Sequence, residues 1–233
     1  MPVSSQSLTE PPEAPTHDEV KNAHLILVHA HEATHALLDA FDASRGARRA
    51  TGGNTTDEEQ DLLRAMLVFA GAGLDASVKR LIQETLPALA RQNEAARQSL
   101  ESFVARRLRD EASRAADTAK GYSLLASALV NDSPRAALVS AYVEELIGSS
   151  LQSVDRVFEA LSALGLRSDI SVDRATLKRV FDDRNAIVHE MDMDLSLPNR
   201  RRTSRRRDPM IAGTNALLSL GSEVLAAVDS GLG

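Results

Sequence analysis

This sequence contains no cysteine and no tryptophan, and its aromatic residues are limited to five Phe and two Tyr. The lack of cysteine excludes disulfide bonds, thiolate zinc sites and cysteine nucleophiles, and it agrees with a reducing cytoplasm. The scarcity of aromatic side chains argues against a β-sheet core and against the aromatic surfaces on which sheet-based RNA binders stack bases. The abundant Ala and Leu residues favour packed helices instead.

Long apolar runs are missing as well. The longest, around Leu67 to Leu74, stops at Asp75 and is too short to span a bilayer. Residues 1–16 are rich in Pro, Ser and Glu and have no apolar stretch like that of a secretory signal, so they predict a flexible tail. We therefore expect a soluble, cytoplasmic protein without membrane contact.

Apolar residues recur with helical spacing along most of the chain, and no segment of useful length alternates as a half-buried strand does. Thr56 and Glu59 form the T-x-x-E pattern of a capping box, and Pro134 stands where a helix can begin. We expect an all-α bundle that forms a single domain over residues 17–233. The helices are predicted at about 17–44, 57–85, 87–118, 134–147, 151–165, 172–190 and 212–228.

The predicted helix 172–190 places polar residues beside an apolar stripe. The stripe consists of Leu177, Val180, Phe181, Ile187, Val188 and Met191. Arg184 projects into its middle, where a guanidinium needs a carboxylate, a phosphate or a second subunit. Asn185 and His189, four residues apart, share the adjoining face.

These residue types suit metal-free cleavage of RNA. An imidazole such as that of His189 moves protons near neutral pH, and an arginine fork such as that of Arg184 holds a phosphate and the charge that develops on it. The spacing leaves a second interpretation open, in which Arg184 pairs with Asp182, Asp183 or a neighbouring helix and His189 merely ends its helix. Asp132, Glu144 and Glu145 are further candidate partners of Arg184.

The string Arg184-Asn-Ala-Ile-Val-His189 resembles the R-x-x-x-x-H signature of the HEPN superfamily, including the polar residue after the arginine. A second element lies on the earlier helix 57–85. There Asp75-Ala-Ser-Val-Lys79-Arg80 is similar to the Glu-x-x-x-Lys-Arg motif of some HEPN ribonucleases, with Asp in place of Glu. The two helices, 57–85 and 172–190, thus both carry motifs that resemble the same family.

The resemblance covers about Asp57 to Asp194. Within it, the stretch from Asp169 to Glu190 and the upstream Ser150-Leu-Gln-Ser153 resemble the RiboL-PSP-HEPN branch. It implies a HEPN-like helical bundle, here with an extra N-terminal helix, that dimerises so that two motifs face each other in one cleft. The site residues implied are Arg184, His189 and Asn185, with support from Asp75, Lys79 and Arg80.

HEPN ribonucleases cut RNA without metal or cofactor, and many act as toxins or in phage defence. The resemblance therefore implies RNA, a second copy of the chain, and an antitoxin or regulatory protein as partners. Toxins silenced by an adenylylating nucleotidyltransferase carry a Tyr two residues after the His. This chain has Met191 there, so that form of control is not expected.

Six of the 27 basic residues lie within eight positions of the predicted loop 195–210, although the formal net charge of the chain is −6. If this loop is only solvated, its arginines have no specific role. Beside the cleft they would neutralise RNA phosphates without reading bases, and this is the role we predict. The six are Arg200, Arg201, Arg202, Arg205, Arg206 and Arg207.

Two alternatives to the ribonuclease stay open. The first is a catalytically silent HEPN module that binds RNA or a partner protein. The second, more remote, is a zinc hydrolase, because His31, Glu32 and His35 match the H-E-x-x-H signature. These histidines lie on the polar face of the first predicted helix and no strand is predicted beside them, so a solvated face is the simpler explanation and no metal is assigned.

Overall fold

The computed structural model describes residues 6–48, 55–114, 123–166, 170, 173–194 and 201–233. These residues form eight helices and, apart from one isolated bridge, no β-structure, so the all-α prediction is confirmed. Arg200 and the predicted helix ends at 118 and 172 lie outside the described residues. The helices are α1 (Asp18–Ala47), α2 (Asp57–Gln92), α3 (Glu94–Arg114), α4 (Ser123–Leu129), α5 (Pro134–Ile147), α6 (Val154–Ala163), α7 (Arg174–Glu190) and α8 (Arg207–Gly231).

Two helix starts follow from local sequence as predicted. The Thr56 hydroxyl accepts the Glu59 N–H at 3.2 Å and the Glu59 carboxylate accepts the Thr56 N–H at 2.9 Å, which completes the capping box of α2. Pro134 occupies the first position of α5, where its missing N–H costs nothing.

The predicted end of α2 before Pro87 is wrong, because the helix continues past the proline. Leu86 and Leu89 on either side of it are fully buried, and this packing outweighs the one backbone hydrogen bond that a proline removes. The break falls at Asn93 instead. Its side-chain oxygen accepts the Ala96 N–H at 3.0 Å and so caps the start of α3.

Helices α1 and α2 form an antiparallel pair at the centre of the fold. The Asn22 amide donates to Glu84 at 2.8 Å near one end of the pair. Further along, Gly73 lies so close to α1 that a Cβ atom added there would stand 2.2 Å from the Ala30 Cβ. The two backbones therefore touch at a glycine, which allows the long buried faces of both helices to meet.

Helix α8 contacts both helices of this pair, with Gly221 against Leu27 of α1 and Gly213 against Leu67 of α2. It is long and apolar enough to cross a membrane by length and composition alone. More than half of that stretch is buried inside the fold, as in the core helix of a bundle.

Residues 6–16 differ from the flexible tail that the sequence predicts. Leu8 is buried, and the Thr9 N–H donates to the Asn215 side chain of α8 at 2.9 Å. The Thr16 N–H donates to the Asp229 carboxylate at 2.8 Å, so both ends of the segment are held on α8. These hydrogen bonds satisfy backbone N–H groups of a polar segment that composition alone predicts to be flexible.

Candidate active site

Helix α7 carries the predicted motif and lies against α2 and α8. Asp173 caps it by accepting two backbone N–H groups of the first turn at 2.9 and 3.1 Å. The predicted apolar stripe is buried over most of its length. Its last two residues, Val188 and Met191, are 40% and 64% exposed. The buried members are Leu177, Val180, Phe181 and Ile187.

Arg184 crosses α2 at a glycine. A Cβ atom added to Gly71 would lie 3.6 Å from both Cγ and Nε of Arg184, so the arginine side chain runs over bare backbone. The same point is 3.8 Å from Leu217 Cδ1 of α8, so Leu217 lies at the same place as the arginine side chain. The apolar part of the side chain is thus covered, and the residue as a whole is half-buried.

The guanidinium of Arg184 forms no ion pair with any carboxylate in the described part of the chain. Asp182 pairs with Lys178 at 2.6 Å, and Asp183 pairs with Arg205 at 2.6 Å. The interpretation in which Arg184 is neutralised by one of these two acids is therefore wrong. Its positive charge remains available to an anionic ligand.

Asn185 joins Arg184 to the segment before α6. Its Oδ1 accepts from Arg184 Nη1 at 3.1 Å, and its Nδ2 donates to the Gln152 carbonyl at 3.1 Å. Because both ends of the amide are engaged, Asn185 holds the guanidinium in one orientation. The geometry supports a positioning role for Asn185 beside the proposed catalytic arginine.

His189 lies on the last turn of α7, exposed to solvent and without a hydrogen bond to any described residue. It follows Arg184 by five residues, which corresponds to about 7.5 Å of rise and well over one turn. The two side chains share one helix but do not meet within one chain. For one phosphate to contact both residues, either a side chain must extend along the helix towards the other residue, or a second copy of the motif must supply one of the two.

The second sequence element on α2 connects to the same site. Asp75 accepts the Leu151 N–H at 2.6 Å and the Lys79 ammonium at 3.0 Å. The next residue after Leu151 is Gln152, whose carbonyl binds Asn185. Asp75 and Lys79 thus support the segment that orients the α7 motif, whereas Arg80 pairs with Glu84 along its own helix at 3.5 Å.

A cavity of about 460 Å³ opens beside Asn185, between α6 and α7. Its size falls in the range of small-ligand sites. Four charged residues line it as two ion pairs, Arg174 with Asp155 at 2.8 Å and Lys178 with Asp182 at 2.6 Å. These pairs cancel much of each other's charge, and the cavity reaches Arg184 only through its neighbour Asn185.

The predicted loop 195–210 ends earlier than expected, because α8 begins at Arg207, and several of its described arginines form ion pairs instead of facing only solvent. Arg202 pairs with Asp61 at 2.6 Å, and Arg207 pairs with Asp42 at 2.8 Å. Arg205 is only 9% exposed. For Arg205 the predicted contact with RNA phosphates is corrected, because its guanidinium is already occupied inside the fold.

Arg201 and Arg206 remain exposed and form no ion pair with a described carboxylate. The Arg201 carbonyl accepts the Asp194 N–H at 3.2 Å, so this arginine stands beside the end of α7. Of the predicted RNA contacts, these two keep free side chains. Arg200 lies outside the described residues.

A buried ionic network, which sequence analysis missed, follows directly after the motif. Asp192 is 1% exposed and accepts from Arg64 Nε at 2.8 Å and from Arg205 Nη2 at 2.5 Å. Burial opposes its ionisation, but the hydrogen bonds from both arginines outweigh burial and hold the Asp192 pKa below its usual value. The sequence feature that could have predicted this network is Arg64, because a charged residue inside the apolar run of residues 62–67 needs a buried partner.

The H-E-x-x-H match has a structural explanation. His31 Nδ1 and His35 Nε2 lie 3.1 and 3.2 Å from the same Thr9 carbonyl oxygen, and Glu32 bonds to His29 instead. Burial lowers the pKa of His31, which favours the neutral ring. The described residues contain no group of three His, Asp or Glu suited to a metal. The two histidines hold the N-terminal segment, and the geometry does not support the zinc hydrolase.

No protein-family model matches this chain, and neither a curated protein nor a solved structure was found to be similar.

Proposed function

We propose that this chain is a metal-independent endoribonuclease of the HEPN type. One observation supports this most directly: Arg184 is half-buried, oriented by Asn185 and without a carboxylate partner in the described chain. A cation held in this way favours an anion. His189 on the same helix supplies a group that transfers protons near neutral pH. Together they suit a phosphodiester.

In the proposed reaction the His189 imidazole takes the proton of an RNA 2′-hydroxyl, and the 2′-oxygen attacks the adjacent phosphorus. The bond from phosphorus to the 5′-oxygen breaks, and that oxygen takes a proton from the imidazolium of the second copy's His189. Arg184 stabilises the charge on the non-bridging oxygens. The products are a 2′,3′-cyclic phosphate and a 5′-hydroxyl.

The direct test is incubation of the purified full chain with a mixed-sequence RNA in EDTA. We expect endonucleolytic fragments that end in 2′,3′-cyclic phosphate or 3′-phosphate, because no step uses a metal. The same RNA with 2′-deoxy substitution should stay intact, since the nucleophile is missing. Loss of cleavage in EDTA, or cleavage of the deoxy substrate, would contradict the proposed chemistry.

A homodimer is part of the proposal for two reasons. Within one chain His189 does not meet Arg184, and apolar side chains at the end of α7 are exposed. These exposed side chains are Val188 and Met191. Helix α7 runs antiparallel to α2 here, with Arg184 over Gly71 and Asp192 on Arg64. An isologous contact across this surface would bring two motifs together.

We expect the chain to be a dimer at micromolar concentration in light scattering, with more than about 1,200 Å² buried in total. Met191→Glu and Val188→Glu should each shift it towards monomer, because a buried carboxylate without a partner opposes association. Leu25→Glu is the matched control, since Leu25 is a similarly exposed apolar residue on α1. A monomeric wild-type chain, or equal effects of all three variants, would contradict this interface.

Arg201 and Arg206 are the proposed RNA-backbone contacts, because they are exposed near the end of α7. A toxin or phage-defence effector is the biological role we propose for such an enzyme, with an antitoxin or regulatory protein as its partner. The unpaired His189 also favours the second candidate, a silent module that binds RNA or protein. Binding of RNA without cleavage by a confirmed dimer would support that alternative.

A further inference from the structure

The chain leaves α7 through an unusual backbone turn. Met191 and Asp192 have φ angles of 53° and 60°, so two consecutive residues other than glycine adopt the left-handed conformation. The Asp192 N–H donates to the Ala186 carbonyl at 2.9 Å, and its own carbonyl accepts the Thr203 N–H at 2.7 Å. Such a turn is strained and persists only where its surroundings hold it.

Helix α2 supplies that hold through charged and polar side chains. Arg64 of α2 donates to the Asp192 carboxylate at 2.8 Å and to the Thr203 carbonyl at 2.8 Å. Gln60, one turn earlier, accepts the Arg205 N–H at 2.8 Å. The network therefore fastens both the end of α7 and the returning segment to one stretch of α2.

Arg205 completes the network from the returning segment. Its guanidinium donates to the Asp192 carboxylate through Nε at 2.9 Å and Nη2 at 2.5 Å, and its Nη1 donates to Asp183 of α7 at 2.6 Å. It thus holds α7 at two places nine residues apart, one on the helix and one just beyond its end.

We infer that Asp192 is a positioning residue, whose ion pairs with Arg64 and Arg205 hold the last turn of α7 on α2 and thereby place His189. His189 stands three residues before Asp192, is exposed, and forms no hydrogen bond or ion pair with a described residue that would locate its ring. Its position is therefore set by the backbone of that turn. The inference rests on the proposed function only for what His189 does.

The test compares Asp192→Asn with the wild type. Removing the carboxylate leaves Arg64 paired only with Asp61 and Arg205 paired only with Asp183, while the donors that faced Asp192 stay buried without an acid, so the thermal midpoint should fall by roughly 10 °C. At a temperature where both proteins are folded, the kcat for RNA cleavage should fall about 10- to 100-fold with KM within about twofold, because geometry is lost while most RNA contacts remain.

Arg205→Lys is the second variant, for use if Asp192→Asn does not fold. It keeps the charge and loses the fork that reaches Asp192 and Asp183 together, so kcat should fall in the same way. Arg48→Lys is the matched control. Arg48 likewise places two guanidinium nitrogens on a buried acid, Glu59 of α2, at 2.9 and 2.7 Å, so the same substitution there should leave kcat and the end of α7 unchanged.

Hydrogen exchange provides a readout that does not depend on activity. In the variants that lose the network, the amides of residues 192 and 203 should exchange at least about tenfold faster, with core amides of α1 and α2 unchanged. Unchanged exchange at both amides would overturn the inference, as would faster exchange with wild-type kcat. If the wild type cuts no RNA, the proposed function is wrong, and so is the role of His189 in catalysis. Hydrogen exchange of the amides of residues 192 and 203 would still show whether Asp192 holds the end of α7.

Discussion

Replacing His189 or Arg184 with alanine is expected to lower RNA cleavage by at least about 100-fold while the protein stays folded. His189→Ala removes the proposed proton-transfer group, which is exposed and supports no packing. Arg184→Ala removes the charge that meets the phosphate. It also removes a side chain that packs over Gly71, so its thermal midpoint should be measured together with its activity.

Two controls separate the motif from general effects of losing a charge or an imidazole. Arg179→Ala removes an exposed arginine from the same helix, and His29→Ala removes an exposed histidine from α1. Both should cut RNA at the wild-type rate. If either control loses as much activity as His189→Ala, or if both motif variants stay active, the ribonuclease assignment to this motif is wrong.

Gly73→Ala is expected to destabilise the fold more than any other single-methyl addition at a described glycine. The new Cβ atom would stand 2.2 Å from the Ala30 Cβ, and neither atom can move by rotation of a side chain. Helices α1 and α2 must then separate along their shared face. We expect the free energy of unfolding to fall by about 2 kcal/mol or more, despite a helix-propensity gain of about 1 kcal/mol.

The control for this prediction is Gly46→Ala, where an added Cβ meets nothing within 4 Å. That variant should gain roughly 0.5–1 kcal/mol. The double variant Ala30→Gly/Gly73→Ala moves the methyl group from one helix to the other and leaves the new Cβ 3.6 Å from the Ala30 Cα. It should recover most of the lost stability, and independent, additive effects in this cycle would show that the two positions do not touch.

The elements that sequence predicts well are those with local causes. The capping box of Thr56 and Glu59 and the start of α5 at Pro134 depend only on residues within one turn. The helical period of the apolar residues likewise predicts the all-α class and the buried stripe of α7. At Pro87 the local rule fails, because the buried neighbours of the proline belong to a core assembled from distant segments.

The roles of the charged residues are decided by distance in space. Arg205 has the same local surroundings in sequence as Arg206, yet one is enclosed by Asp183 and Asp192 and the other faces solvent. Arg64 meets Asp192 across 128 residues of sequence. No residue spacing specifies which arginine reaches a buried acid, because that depends on how α2, α7 and α8 pack.

By itself the sequence determined that this protein is helical and that Arg184, Asn185 and His189 stand together on one amphipathic helix, since both follow from periodicity over a few turns. Only the tertiary structure decided that Arg184 has no acid in the described chain. The neighbouring acids are taken by Lys178 and by Arg205, and Arg205 reaches its partner through a turn held on α2. A buried charge is neutralised by the opposite charge that packs against it, and the packing of the helices determines which residue that is.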